Sequence, residues 1–230
     1  MKSGKKIQAV VLDPYDTLFN MFSITAKCEE KYPGNGYQLA QLWHRKQLEH
    51  SWLRTMTNLY KNFWRVTEDA LSSAISTLGL KYDKHVFMDI MSSWLHLELH
   101  QEAIESLKVF RPWQLTILSN GNSRMLDPLT ADTGLDQWFD GILMADAARA
   151  YKPSHKIYEL AVAHLKMDKE KILYVTSNAW DITGAKSFGF TVGCVQRSNS
   201  PLESLGYSTD YVASDLLELA RKVKTEGILI

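Results

Sequence analysis

The sequence has little cysteine: Cys28 and Cys194 are the only two in 230 residues, and neither belongs to a CxxC or cysteine–histidine cluster. That excludes a disulfide-stapled scaffold and a zinc ribbon, and it predicts two buried free thiols in a reducing compartment, the cytoplasm. Net charge is also lacking. Twenty-six basic and 26 acidic side chains cancel, leaving no global field to draw in nucleic acid or an anionic membrane. No apolar run approaches the ~18 residues a membrane-spanning helix requires. The basic start, Met1 to Lys6, leads into an apolar stretch, Ile7 to Leu12, that is too short for a signal peptide and stops at Asp13. Internal repeats and low-complexity segments are missing as well. What remains is an ordinary globular composition, 45% hydrophobic and 23% charged. That is enough to bury a full core without metal or disulfide staples, with a small molecule as the expected partner.

The apolar run Ile7–Leu12 is β-branched and closes on a carboxylate, which predicts a buried central strand with Asp13 at its carboxyl end. In open α/β sheets ligands bind at that edge. Four helices are then predicted with no strand between them: Thr25–Tyr32, Tyr37–Tyr60, Glu68–Leu78 and Lys84–Leu97. Pro33-Gly34-Asn35-Gly36 separates the first two. Thr67 is read as an N-cap with Glu68 and Asp69 behind it, and Gly79 as a C-cap. From about residue 100 strands and helices alternate. The strands are Leu115–Leu118, Gly141–Met144, Ile172–Val175, Thr191–Val195 and Tyr211–Ala213; the helices include Ser154–Leu165 and Asp215–Val223. The expectation is an α/β protein: a Rossmann-like, doubly wound parallel sheet core with an inserted four-helix cap subdomain. The core is assigned to residues 1–19 plus 99–230 and the cap to 20–98.

Four segments converge on one sheet edge in this reading: Asp13 to Thr17, Leu118 to Gly121, Tyr151-Lys152-Pro153, and Thr176 to Asp181. Together they supply three acids, a lysine, several hydroxyls and two amides. Alone, each has a plain structural reading. Asp13 could cap a helix, Lys152 could be a solvated charge, and Asp181 could be the N-cap of the helix through Lys186. Thr176 and Ser177 could satisfy only a strand-to-helix turn, and Tyr158 could be core.

The series Asp13…Thr17, Ser119-Asn120, Lys152-Pro153 and Asp181 resembles the four motifs of the haloacid dehalogenase superfamily. Ser177-Asn178-Ala179-Trp180-Asp181, Tyr151-Lys152-Pro153, and the segments Leu42-Trp43 and Lys46 to Arg54 resemble the (S)-2-haloacid dehalogenases in particular. Most superfamily members are magnesium phosphatases with a second Asp two positions after the nucleophile. Here that position is Tyr15, and the fourth motif offers Asn178 and Asp181 rather than adjacent acids.

The resemblance therefore implies a metal-independent hydrolase with no cofactor, acting on a small halogenated carboxylic acid. Asp13 would displace halide from the α-carbon to give an ester, and water would then release a 2-hydroxy acid of inverted configuration. Lys152 would keep Asp13 ionised and Asp181 would help activate water, while Thr17, Ser119, Thr176 and Asn178 would orient these groups. Substrate would be held by Tyr15, His44, Leu48, Phe63, Asn120, Tyr158 and Trp180. A homodimer is the expected assembly.

Two residues depart from the resemblance. An arginine that receives the halide is replaced by His44, and Arg45, one residue further and about 100° around a helix, should face elsewhere. Losing a preorganised cationic donor costs about 3–4 kcal/mol of barrier by analogy with single-donor removals. Asp16 stands where glycine is usual. If its turn needs φ > 0, Asp tolerates it better than most residues. If its charge faces the site, ~6 Å from Asp13 at an effective dielectric of 20, it opposes a bound anion by about 3 kcal/mol. Two alternatives stay open: a hydrolase of the same fold displacing a non-halide leaving group, and a catalytically impaired homologue that binds small acids.

Overall fold

The computed structural model describes residues 7–197 and 205–226. Its main sheet has six parallel strands in the order β5-β4-β1-β6-β7-β8: β1 (Ala9–Leu12), β4 (Gln114–Ser119), β5 (Gly141–Met144), β6 (Ile172–Thr176), β7 (Thr191–Val195) and β8 (Tyr211–Ala213). All four residues of β1 are buried, as expected for a strand covered on both faces, so the run Ile7–Leu12 reads as continuous rather than alternating. The core helices are α5 (Ala103–Phe110), α6 (Ser123–Asp132), the short α7 (Ala145–Ala148), α8 (His155–Leu165), α9 (Ala179–Phe188) and α10 (Leu216–Glu226).

Strand order reverses at β1, which pairs with β4 on one side and β6 on the other. Leu12 lies opposite Ile117 and Val175, and the Asp13 amide continues the ladder to the Val175 carbonyl at 2.9 Å. The residues just beyond β1, β4 and β6 therefore open on the crevice where an α/β sheet binds its ligand.

After β1 the chain leaves the core through β2 (Phe19–Asn20) and returns through β3 (Glu98–Leu99), a short antiparallel ribbon. Between them lie α1 (Phe22–Lys31), α2 (Gly36–Met56), α3 (Phe63–Thr77) and α4 (Lys84–Ser92). The four predicted helices are present and, as expected, no strand interrupts them. The expected cap of α3 was misplaced. Asn62, not Thr67, closes its first turn, accepting from the Arg65 amide at 2.9 Å. Thr67 sits inside the helix, buried, with its hydroxyl on the Phe63 carbonyl at 2.7 Å. Gly79 does follow the end of α3 at φ +62, a conformation glycine adopts without a Cβ penalty.

The helical layer is tied to the sheet at several points. The Arg124 guanidinium lies 4.0 Å over the Trp64 ring, and the Tyr151 amide donates to Thr55 Oγ1 at 3.0 Å. Tyr60 stacks on Tyr151 with ring centroids 5.2 Å apart, and Trp52 meets Trp180 edge-on at 6.1 Å. Each such aromatic pair contributes about 0.5–1.5 kcal/mol beyond area burial. Cys28 and Cys194 are free and buried. Among the described residues no helix is long and apolar enough to cross a membrane.

Candidate active site

Asp13 follows β1 directly and is 4% exposed. Its two oxygens are held by different donors: Lys152 Nζ lies 2.7 Å from Oδ1, and Asn178 Nδ2 donates to Oδ2 at 3.0 Å. Lys152 is fully buried, so the reading of it as a solvated charge does not hold. Its ammonium also stands 3.2 Å from Oδ2 of Asp181, and its backbone amide donates to Asn120 Oδ1 at 2.9 Å. Burial raises the Asp13 pKa to about 7, against the pull of Lys152 and with the neighbouring Asp181 charge adding to the rise.

Asp181 is fully buried in the first turn of α9, and the N-cap position belongs to Asn178. Tyr158 donates to its Oδ1 at 2.6 Å and Tyr174 to its Oδ2 at 2.7 Å. Burial first, and Asp181 second, push both phenols well above their ordinary range, so each remains a donor. Tyr158 is thus a buried core residue bonded to Asp181, and it does not line the cavity above Asp13 where substrate contact was expected. Tyr174 was missed by sequence reasoning. Its signal lay in the strand period, since Tyr174 is two residues before Thr176 and shares its face of β6.

The hydroxyls hold the loops. Thr176 Oγ1 accepts from the Asn178 amide at 3.1 Å. Thr17 Oγ1 accepts from the Ser177 amide at 3.0 Å, and Ser177 Oγ donates to the Asp16 carbonyl at 3.1 Å. Ser119 Oγ accepts from the Gly121 amide at 2.9 Å. The Thr17 and Ser177 bonds fix the loop after β1 against the loop after β6, and the other two shape the loops after β4 and β6 locally.

A narrow cavity opens above Asp13. It is lined from the core by Tyr15, Asp16, Asn120, Asn178 and Trp180, and from the helical layer by His44, Gln47, Leu48, Phe63 and Trp94, with Met21 at the side. Leu48 and Phe63, expected to hold substrate, line this cavity, and Arg45 is exposed and does not. Gln47 and Trp94 complete the wall, whereas Trp43 and Trp64 do not reach it. Trp43 is buried against α3 through Nε1 on the Thr67 carbonyl at 2.8 Å. The Tyr15 ring packs edge-on to Trp94 at 5.2 Å, and its buried hydroxyl has no hydrogen-bond partner. A donor held dry beside a carboxylate is available to a bound anion.

Asp16 adopts φ +62 and lines this cavity, with its carboxylate taking a backbone hydrogen bond from Met21. Burial raises its pKa, while His44, His100 and Arg197 pull it down. His44 is an exposed residue of α2 that also reaches into this cavity; partial desolvation lowers its pKa, and Asp16 opposes the shift.

A magnesium ion does not fit these residues. Both oxygens of Asp13 already accept from N–H donors, and both oxygens of Asp181 accept from tyrosine hydroxyls. Tyr15 offers no carboxylate, and a lysine ammonium lies between the two acids.

The model of the haloacid dehalogenase-like hydrolases matches residues 7–189. The chain is 37% identical over 221 residues to an (S)-2-haloacid dehalogenase of Pseudomonas sp. strain YL, covering 95% of each chain. It is 40% identical over 191 residues to the (S)-2-haloacid dehalogenase of Xanthobacter autotrophicus, covering 83% of this chain and 76% of that one. The fold superposes on the L-2-haloacid dehalogenase of Xanthobacter autotrophicus solved with chloropropionic acid covalently bound, with a TM-score of 0.88 at 35% identity over 95% of this chain and 98% of the other.

Proposed function

The chain belongs to the haloacid dehalogenase-like hydrolases, and from that premise we propose that it hydrolyses (S)-2-haloacids to (R)-2-hydroxyacids, without a metal, through an ester on Asp13. The observation that carries this reading is the Asp13 carboxylate itself. It is buried at the floor of a narrow cavity with a donor on each oxygen, and the Lys152 ammonium stands between it and its neighbouring acid, Asp181. Such a carboxylate is suited to attack at carbon rather than to share a metal-bound phosphate.

An Asp13 oxygen bonds to the α-carbon as the carbon–halogen bond breaks, and halide takes the bonding pair. The substrate carboxylate is received by the Tyr15 hydroxyl, Ser119, Asn120 and the backbone N–H groups of the loop after β4. Water then adds to the ester carbonyl at Cγ of Asp13. The oxygen that was not alkylated keeps its donor, Lys152 or Asn178, which stabilises the developing oxyanion. Asp181 Oδ1 has accepted one bond, from Tyr158, so a lone pair remains to draw the proton from that water. Collapse returns Asp13 and frees the hydroxy acid.

Residues 20–98 act in this reading as a cap that excludes water, and residues 1–19 with 99–230 as the catalytic core. Pairing into a homodimer belongs to the same proposal: Leu53, Met56 and Leu59 expose apolar surface at the end of α2 that a second copy would cover. So does residence in the reducing cytoplasm, where the two buried thiols stay free.

The deciding assay is halide release from each enantiomer of 2-chloropropionate and 2-bromopropionate with EDTA present. Release from the S form alone, absent in Asp13→Asn, is the expected result. A folded protein that releases no halide refutes the reading and leaves a different leaving group or a small-acid binder.

A further inference from the structure

On the dehalogenation reading, on which this inference rests, Asp13 is the floor of the cavity from which the attack comes. Displacement at carbon requires attacking and departing atoms in line, so the departing group points away from Asp13, toward the helical layer. The layer presents three side chains with polar atoms there, His44, Gln47 and Trp94; the Trp94 indole N–H is a buried donor without a partner, but it carries no charge and cannot release its proton. Gln47 is committed: its buried amide donates to Thr67 Oγ1 at 2.7 Å. The His44 ring has no hydrogen-bond partner among the described residues, so its N–H is free for a ligand.

Asp16 is fixed beside it. The Asp16 carbonyl accepts from Ser177 Oγ at 3.1 Å and Arg197 Nε at 3.2 Å, and lies 3.1 Å from His100 Nε2. Three side chains thus pin the turn that carries its carboxylate. Asp16 and His44 both line the Asp13 cavity, and both also line a second, mostly apolar chamber against Met21, Ile24, Ala40 and Trp43. The two stand together at the junction. Among the described residues, the charged or titratable groups facing the pair are Asp13 from the floor, Tyr15 beside it, His100 and Arg197 behind Asp16, and Arg45, which shares an outer groove with His44.

We propose that His44 and Asp16 form a proton-donating pair at the leaving-group position, so that the departing group leaves as its conjugate acid and basic leaving groups, fluoride first among the halides, are favoured. In that step the Asp13 oxygen bonds to the α-carbon as the carbon–fluorine bond breaks. Fluorine takes the bonding pair and the proton of the His44 imidazolium, and departs as HF. Neutral His44 then regains a proton from solvent through the opening between the helices. Asp16 acts through His44 as a positioning residue: its carboxylate holds the imidazolium by Coulomb attraction. The desolvation that lowers the His44 pKa makes the imidazolium a stronger acid than it would be in water. Chloride and bromide, far weaker bases, leave as anions with no need of the proton.

The test measures the single-turnover rate of ester formation from (S)-2-fluoropropionate and (S)-2-chloropropionate across pH, in the wild type, His44→Gln and Asp16→Asn. Their ratio cancels the ionisation of Asp13, which both substrates share. The fluoride-to-chloride ratio is expected to fall about tenfold per pH unit above the His44 pKa. His44→Gln should make the ratio independent of pH, and Asp16→Asn, which tolerates the same turn, should move the break to lower pH. A flat ratio in the wild type overturns the proposal. A second measurement needs no turnover: the His44 imidazole resonances are titrated with and without sodium chloride. A His44 pKa that rises with chloride, but with no halide released from any substrate, keeps the anion site and refutes the dehalogenase reading. Asp13-dependent chloride release with neither a falling ratio nor a chloride-linked pKa keeps the dehalogenase and refutes the pair.

Discussion

The hydroxyl of Tyr174, near the end of β6, donates to Oδ2 of Asp181 on the first turn of α9 at 2.7 Å. This bond closes a buried chain of polar groups, from Asn178 through Asp13, Lys152 and Asp181 to the two tyrosines, in which each carboxylate oxygen is satisfied. Two acids and one ammonium leave the group one negative charge in excess. That charge is what burial penalises, and it is also what makes Asp13 reactive.

Activity should therefore depend on pH through Asp13, whose pKa burial raises from 3.8 to about 7. For chloride substrates kcat/KM is expected to fall about tenfold per pH unit below that value and to level off above it. The stability consequence has the opposite sense. A carboxyl whose folded pKa lies above its unfolded one binds more protons in the folded state, so stability is lost as pH rises from about 4 through about 7. Asp13→Asn, a permanent stand-in for the protonated acid, should raise stability above pH 7 by about 1–3 kcal/mol and confer no gain near pH 4. Thermal melts of both proteins across pH check this; a variant less stable at pH 8 contradicts it.

Lys152→Met should be costly in both respects. It leaves Asp13 and Asp181 buried together with no cation, a loss of about 3–5 kcal/mol. One acid must then take up a proton at neutral pH. Denaturant unfolding reads the stability loss. Ester formation should be lost at pH 7 and partly recovered at higher pH, where Asp13 ionises despite the missing ammonium.

Much of this site was legible in the chain because its central features are local. Ile7–Leu12 is apolar and stops at Asp13, and Asn178 and Asp181 flank the start of a helix within four residues. What escaped depended on distant packing. Tyr174 reads as an ordinary strand residue, and only the depth of α9 against β6 turns its hydroxyl to Asp181. The meeting of Asp16 with His44 requires the helical layer to sit where Arg124 on Trp64 and Tyr151 on Thr55 hold it, and no local pattern encodes that placement. Thr67 misled for the converse reason. A threonine before Glu68 and Asp69 is a sound cap signal, but Asn62 accepts from the Arg65 amide in the first turn of α3 while Thr67 lies buried one turn inside.

Tyr158→Phe and Tyr174→Phe separate the two chemical steps. Each removes one donor from Asp181, a hydrogen bond to a charged group worth about 1.5–3 kcal/mol. Ester formation should be nearly preserved, while its hydrolysis slows by about tenfold or more in each. Mass spectrometry of rapidly quenched enzyme should then show an Asp13 adduct that the wild type does not accumulate. Equal slowing of both steps would assign the tyrosines to Asp13 rather than to water activation.

Gly121→Ala tests where the substrate carboxylate binds. A Cβ at Gly121 would stand 2.7 Å from the Tyr15 hydroxyl and 3.1 Å from Ser119 Oγ. Tyr15 cannot swing clear, because its ring is packed against both Phe63 and Trp94. The methyl group therefore occupies the space between the two hydroxyls assigned to the carboxylate. Losing one or two such contacts costs about 1.5–3 kcal/mol each, which corresponds to a KM increase of at least about tenfold. The Lys152–Asp13–Asp181 chain lies outside this contact, so kcat should change much less. Initial rates over a wide range of 2-chloropropionate decide the matter: a selective rise in KM places the carboxylate beside Tyr15 and Ser119, whereas a fall in kcat alone would move it elsewhere in the cavity.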